Sequence, residues 1–376
     1  DDHRGLGDWV VSREVWPDGL SPLVDHVKGL GMEFGLWFEP EMVNLDSDLV
    51  RANPHWVLGP VAGAPLPSRH QHVLDLANPD AFAHVLEAMS SLVAEFGIDF
   101  IKWDHNRDLH EVVRTDGSGT DRPAVHAQTS ATYRLVDELR RRHPGLEIES
   151  CSSGGARVDL GVLERTDRVW TSDCNDALER VAIQRWTGLL VPPERMGTHI
   201  GPPTAHTTHR HLDLSLRMLV ALGGHAGLEW DITTCSADEL DALRAWSALY
   251  RELRPLLHGG DAVRSDHPDP ALVVGGVVAP DRSAAVFSVV QAVSGRGVAP
   301  GVVPLRGLDA GRRYRVRVRS EAGLPAVIQV QPPAWWDAAL DGGIVVGGAA
   351  LGEVGLALPV LAPAQGFLLH VESVDG

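Results

Sequence analysis

Residues 98–107 read Ile98-Asp99-Phe100-Ile101-Lys102-Trp103-Asp104-His105-Asn106-Arg107, a strand-length apolar and aromatic run that ends abruptly in polar residues. The signature recurs at 34–38 (Phe34-Gly35-Leu36-Trp37-Phe38), 146–149, 168–171 and, more weakly, 227–230. Between these runs the apolar spacing changes to a helical period, at 20–30, 79–96, 130–142, 177–190 and 209–222. The second of these stretches opens Asn78-Pro79-Asp80, a capping residue followed by proline at the first helical position. Strand alternating with helix at this spacing predicts parallel βα units.

The pattern changes near residue 255. A Pro/Gly/Asp-rich connection covers 254–270, and strand-like runs follow at 271–278, 284–290, 314–318, 327–330 and 366–371 with no helical period between them. The expected organisation is therefore a catalytic (β/α) barrel domain over 1–255 and an antiparallel β-sandwich domain over 256–376.

The chain has 376 residues, 44% hydrophobic and 22% charged, which excludes collagen, coiled coil and wholesale disorder. Its net charge of −17 repels phosphate backbones and anionic lipid, so neither nucleic acid nor a membrane surface is an expected partner. No apolar run reaches the roughly eighteen residues that a spanning helix needs. The three cysteines, Cys151, Cys174 and Cys235, form no CxxC pair and no disulfide framework, which fits a reducing compartment. With no signal peptide visible, the expected location is cytoplasmic. The opening Asp1-Asp2-His3-Arg4 runs straight into patterned sequence, so the chain reads as a piece of a longer protein. A homo-oligomer is left open.

Ligands of parallel βα folds sit at the carboxyl ends of the strands. Here those ends carry Glu39 and Glu41, then Lys102, Asp104 and Asn106, then Cys151-Ser152-Ser153-Gly154-Gly155, then Ser172-Asp173, and finally Asp231. Nine of the eleven tryptophans precede residue 255. Some of them fill the core, since large aromatics dominate cores as well as sites; others can stack on a sugar ring. Carboxylates, one lysine and aromatic faces together suit a neutral polar ligand. Two carboxylates at different strand ends are what glycosidic cleavage needs, one to attack and one to protonate. Lys102 and Asp104 stand at i and i+2, the spacing that places both on one face of a strand, where the cation favours the ionised acid. The bland reading of any aspartate after a strand is a cap or turn residue.

Four motifs in register resemble the retaining α-galactosidases of glycoside hydrolase family 36. They are Gly35-Leu36-Trp37-Phe38-Glu39-Pro40-Glu41-Met42-Val43, Lys102-Trp103-Asp104-His105-Asn106-Arg107, Glu149-Ser150-Cys151-Ser152-Ser153-Gly154-Gly155 and Trp170-Thr171-Ser172-Asp173. Leu6-Gly7-Asp8-Trp9 and Leu74-Asp75-Leu76-Ala77-Asn78-Pro79 are similar too, and the likeness thins after Asp176. The resemblance implies hydrolysis of terminal α-linked galactose from melibiose- and raffinose-type oligosaccharides by double displacement. It implies Asp104 as nucleophile and Asp173 as general acid/base, with Asp173 carrying its proton at neutral pH. Trp37, Arg69, Lys102, Trp103, Asn106, Cys151 and the backbone at Gly154 and Gly155 would bind the sugar. No metal or organic cofactor is implied. On the same resemblance the chain is expected to be a truncated TIM barrel, strands three to eight, without the family's N-terminal domain and its Asp-Asp-Gly-Trp motif.

Three rival readings stand beside this one. His199, His206, His209 and His211 cluster in sequence, but their spacing does not put three on one helix face and no His-Glu-x-x-His signature occurs, so loop histidines are favoured over a metal site. A related α-N-acetylgalactosaminidase would keep the chemistry and change the sugar. A non-catalytic sugar-binding or structural fragment would bind without turnover.

Overall fold

The computed structural model describes residues 4–60, 65–115, 118–328 and 331–374. The chain separates into two compact units, Asp1–Trp170 and Thr171–Gly376.

The first unit is built on four parallel strands, β1 (Gly35–Phe38), β2 (Phe100–Trp103), β3 (Glu147–Ser150) and β4 (Arg168–Trp170), hydrogen-bonded in chain order. Helix α1 (Ser21–Gly29) precedes β1, α2 (Pro79–Phe96) joins β1 to β2, and α3 (Val125–Arg142) joins β2 to β3. Each crossover returns the chain to the same end of the sheet, which is what parallel pairing demands. In α2 the Asn78 side chain accepts the N–H groups of Asp80 and Ala81, Pro79 supplies a preset φ, and Gly97 at φ +57° ends the helix. Its buried stripe Ala81-Val85-Met89-Val93-Phe96 packs with Leu135 and Leu139 of α3 and with Phe38, Ile101, Trp103 and Ile148 of the sheet. An antiparallel pairing of Met42–Val43 with His72–Val73 lies between β1 and α2.

The second unit opens with a parallel pair, β5 (Met196–Ile200) and β6 (His225–Leu228), with helices α4 (Ala177–Thr187), α5 (Leu214–Ala221) and α6 (Ala237–Gly259). A six-stranded antiparallel sheet follows: β7 (Asp261–Ser265), β8 (Leu272–Val278), β9 (Ala284–Gln291), β10 (Arg313–Val318), β11 (Ile344–Gly347) and β12 (Gln365–Ser373). Its order is β7-β8-β9-β12-β10-β11. One face of that sheet packs on Trp336, Leu351 and Leu358, and the other, through Val277, Val286, Val290 and Leu368, on α5 and α6.

Parallel strand–helix units followed by an antiparallel β domain are the architecture that the sequence predicts. Several details differ, among them strands Asp261–Ser265, inside the expected connection, and Ile344–Gly347, outside the expected runs. Strand β5 has no counterpart among the expected runs, because Gly197, Thr198 and His199 interrupt its apolar character. Helix α6 continues through Pro255 to Gly259, where a loop was expected. A capping box between Ser236 and Glu239 starts it, and the buried row Leu249, Leu253, Leu257 carries it past the missing amide. The β domain also contains a short helix, Trp335–Leu340, and a helical turn at Ala350–Val354. Of the expected run 327–330, Val327 makes only an isolated bridge to Leu361, and 329–330 lie outside the described residues.

Candidate active site

Register brings three distant segments together. Phe38 stands opposite Trp103, and Trp103 opposite Ser150. The next residue of each strand is therefore Glu39, Asp104 and Cys151, side by side at the carboxyl edge of the first unit's sheet. One residue back, Trp37 faces Lys102 and Lys102 faces Glu149.

Asp104 is the centre of this edge. Its Oδ2 accepts the Trp37 indole N–H at 3.0 Å and the Asn106 amide at 2.6 Å, and its Oδ1 accepts the His105 backbone N–H at 2.8 Å. Burial opposes its charge, yet the donors from Trp37, Cys151, Asn106 and His105 outweigh burial and hold the carboxyl below its ordinary value. Cys151, 1% exposed, is the complement. Burial and the Asp104 charge push its thiol far up, so it stays a neutral donor, while the Gly154 backbone donates to it.

Lys102 sits differently from the expectation. Its Nζ is 3.3 Å from Glu149 Oε1 and 4.3 Å from the centre of the Trp170 ring, so neutral donors rather than this cation are the chief support of the ionised Asp104. Trp103, expected among the sugar-binding residues, is instead buried. It is 2% exposed in the core, and its indole donates to Glu41 Oε1 at 3.0 Å, because strand alternation turns it away from the Lys102 face. Trp37, 44% exposed, presents the open aromatic face.

Two glutamates that the sequence placed at a strand end, without assigning them a role, are buried here. Glu41 keeps its charge: burial raises its pKa, but Arg157 at 2.8 Å, His105 and the Trp103 indole bring it down to about 2. Glu39 goes the other way, since burial and the Asp104 charge lift it to about 7 despite its bonds to Asn106 and Gln71. Two carboxylates separated by one proline are the visible signal for this pair; which one ionises is set by their partners, Arg157 foremost for Glu41 and burial with the Asp104 charge for Glu39.

Arg69 reaches the same edge from the turn before the His72–Val73 strand. Its guanidinium donates to Asn106 Oδ1 at 3.0 Å and to Ser153 Oγ at 2.9 Å. The loop after β3 turns at Ser153 (φ +44°) and Gly154 (φ +85°), and the Gly154 carbonyl accepts the Ser152 N–H.

Asp173 belongs to the second unit, in the segment 171–175 ahead of α4, where it is exposed. Arg180, buried in α4, holds that segment: it donates to Thr171 Oγ1 and the Cys174 carbonyl, both at 2.7 Å, to Asn175 Oδ1 at 3.2 Å, and to the Ser172 carbonyl. Asp176 caps α4 and is bound by Thr208 at 2.6 Å and Arg210 at 2.7 Å. Asp231 caps a short turn, the bland outcome for an aspartate after a strand.

Among the described residues no group of three or more His, Cys, Asp or Glu is placed to hold a metal ion. His199 pairs with Glu229 and His211 with Thr204.

Residues 1–260 match the Melibiase family model and 273–371 the glycosyl hydrolase family 36 C-terminal domain. The chain belongs to the melibiase family. It is 43% identical over 99% of its length to an Escherichia coli alpha-galactosidase, of which it covers 52%. Among solved structures it is similar to a single-substitution variant of the family 36 alpha-galactosidase AgaA of Geobacillus stearothermophilus in complex with 1-deoxygalactonojirimycin. That match has TM-score 0.88 at 32% identity over 99% of this chain and 49% of that one. An AgaA variant in complex with raffinose superposes equally well, TM-score 0.88 at 32% identity over 100% and 49% of the two chains. The chain thus spans about half the length of the relatives that it matches.

Proposed function

We propose that this chain carries the catalytic machinery of a retaining α-galactosidase that releases terminal α-linked galactose from raffinose- and melibiose-type oligosaccharides. Asp104 attacks the anomeric carbon and forms a glycosyl ester. Asp173 protonates the departing oxygen and then deprotonates the water that cleaves the ester, so configuration is retained. Double displacement asks for the two carboxyls about 5–5.5 Å apart. The observation that carries the reading is the set of neutral donors on Asp104, which keeps a buried carboxylate ionised without a directly bound cation neutralising it. Membership of the melibiase family and the raffinose complex of the AgaA variant support galactose as the sugar.

The test is turnover of an aryl α-D-galactoside by the chain and by its Asp104→Ala and Asp173→Ala variants. Asp104→Ala should be silent and regain turnover with azide, yielding a galactosyl azide of β configuration, because azide enters from the face that the carboxylate vacated. An Asp104→Ala variant with parental activity sinks the assignment.

A further inference from the structure

Glu39 joins two parts of this site that are distant in sequence. It is the first residue past β1 and 1% exposed. Its Oε1 accepts the backbone N–H of Asn106 at 2.6 Å, and its Oε2 accepts the side-chain N–H of Gln71 at 2.8 Å. Each partner leads to a different functional group. Asn106, fixed by its backbone, turns its amide so that the nitrogen donates to Asp104 Oδ2 at 2.6 Å and the oxygen accepts from Arg69 at 3.0 Å. Gln71 closes the turn that carries Arg69, through reciprocal backbone bonds with Ser68 of 3.2 and 2.9 Å. Within that turn Arg69 and His70 have φ of +51° and +63°, a conformation that non-glycine residues keep only where their surroundings hold it.

We propose that Glu39 is a positioning residue of the galactoside site: one buried carboxyl fixes the Asn106 amide against Asp104 and, through Gln71, the turn that presents Arg69. The proposal rests on Asp104 as nucleophile and on Arg69 and Asn106 as sugar contacts. Glu39 itself need not touch substrate, since both of its oxygens face protein donors. A group shared between the two arms also keeps them at a constant distance, which a sugar bridging Asp104 and Arg69 requires. Burial and the neighbouring Asp104 favour its neutral form, which accepts the same two N–H groups without setting a second full charge beside the nucleophile.

The arms can be cut separately. Glu39→Leu removes both, Gln71→Leu removes only the Arg69 arm, and Glu39→Gln keeps an acceptor for the Asn106 N–H. The readouts are kcat and KM on 4-nitrophenyl α-D-galactoside, galactose binding by calorimetry, and Tm as the control for folding. Gln71→Leu should weaken galactose binding and raise KM by about tenfold with kcat within about threefold of the parent. Glu39→Leu should lower kcat by about a hundredfold as well, and Glu39→Gln should recover most of that loss. A simple loss of stability would not split KM from kcat in this way. If Glu39→Leu does not fold, the Gln71→Leu split against Glu39→Gln still decides. An active parent whose variants show parental kcat and galactose affinity overturns the proposal alone. A parent that neither binds galactose nor turns over overturns the underlying site reading, and the proposal with it.

Discussion

The indole N–H of Trp37 donates to Oδ2 of Asp104 across 3.0 Å, tying the next-to-last residue of β1 to the residue after β2. The same ring is 44% exposed, so one side chain both steadies the carboxylate and faces outward. Trp37→Phe separates these roles by keeping an aromatic wall and deleting the donor. A hydrogen bond to a charged group contributes about 1.5–3 kcal/mol, so kcat/KM should fall roughly 10- to 100-fold. Losing a donor to the ionised form also raises the Asp104 pKa, so the acid limb of the pH–rate profile should move to higher pH. An acid limb that stays in place would show that this N–H does not tune Asp104.

Cys151 should be chemically quiet. It is buried and its thiol is held protonated by burial and by Asp104, whereas Cys174 is only half-buried. Iodoacetamide at pH 8 should alkylate Cys174 well before Cys151, as read by peptide mass mapping of the folded chain. Substrate or galactose in the site should leave that order unchanged. Early modification of Cys151 would mean that the β3 edge is open.

Two neighbouring glutamates give opposite pH dependences of stability. Glu39, at about 7 folded against 4.5 for an ordinary side chain, binds its proton more tightly when folded. Its contribution is complete below pH 4.5 and is lost as pH rises to about 7, a loss on the order of 3 kcal/mol. Glu41, at about 2 against 4.5, contributes above pH 4.5 and is lost as pH falls toward 2. Between pH 4.5 and 7, urea denaturation should therefore show the stability of the parent gaining less, or losing more, per pH unit than that of Glu39→Gln, by about one proton. A slope unchanged in Glu39→Gln would show that Glu39 is ionised throughout that range.

Arg180 carries the segment that contains Asp173. Arg180→Lys keeps the charge but cannot reach Thr171, Cys174 and Asn175 at once, leaving buried acceptors unpaired. The expected cost is about 2–4 kcal/mol of stability, measured by denaturation, together with a loss of turnover at temperatures where the variant is still folded. Full turnover in Arg180→Lys would show that the segment holds its shape without the guanidinium fork.

Much of this protein is legible in its sequence because the relevant physics is local. The helix at Pro79–Phe96 is bounded by a capping asparagine, a proline at its first position and a terminal glycine, each acting within a few residues. The strand run at 98–103 followed by Asp104 likewise marks a strand end, and Asp104 and Cys151 stand at such ends in the structure. Strand Met196–Ile200 was illegible because its pairing with His225–Leu228, not its own composition, makes it a strand. Trp103 shows the converse: alternation along the strand by itself sets it on the face opposite Lys102, where it is buried.

The sequence by itself determined which residues could act: acids, amides and aromatics at the ends of short apolar runs, and four motifs in family order. Only the tertiary structure decided what state they are in. Register across β1, β2 and β3 sets Glu39, Asp104 and Cys151 side by side from positions dozens of residues apart. Burial there is common to all of them, and the partners differ. Arg157 keeps Glu41 charged, neutral donors keep Asp104 charged, and the Asp104 charge helps keep Glu39 and Cys151 protonated. Ionisation in a dry site depends on which dipoles and charges lie within a few ångströms, and those distances exist only once the sheet has formed.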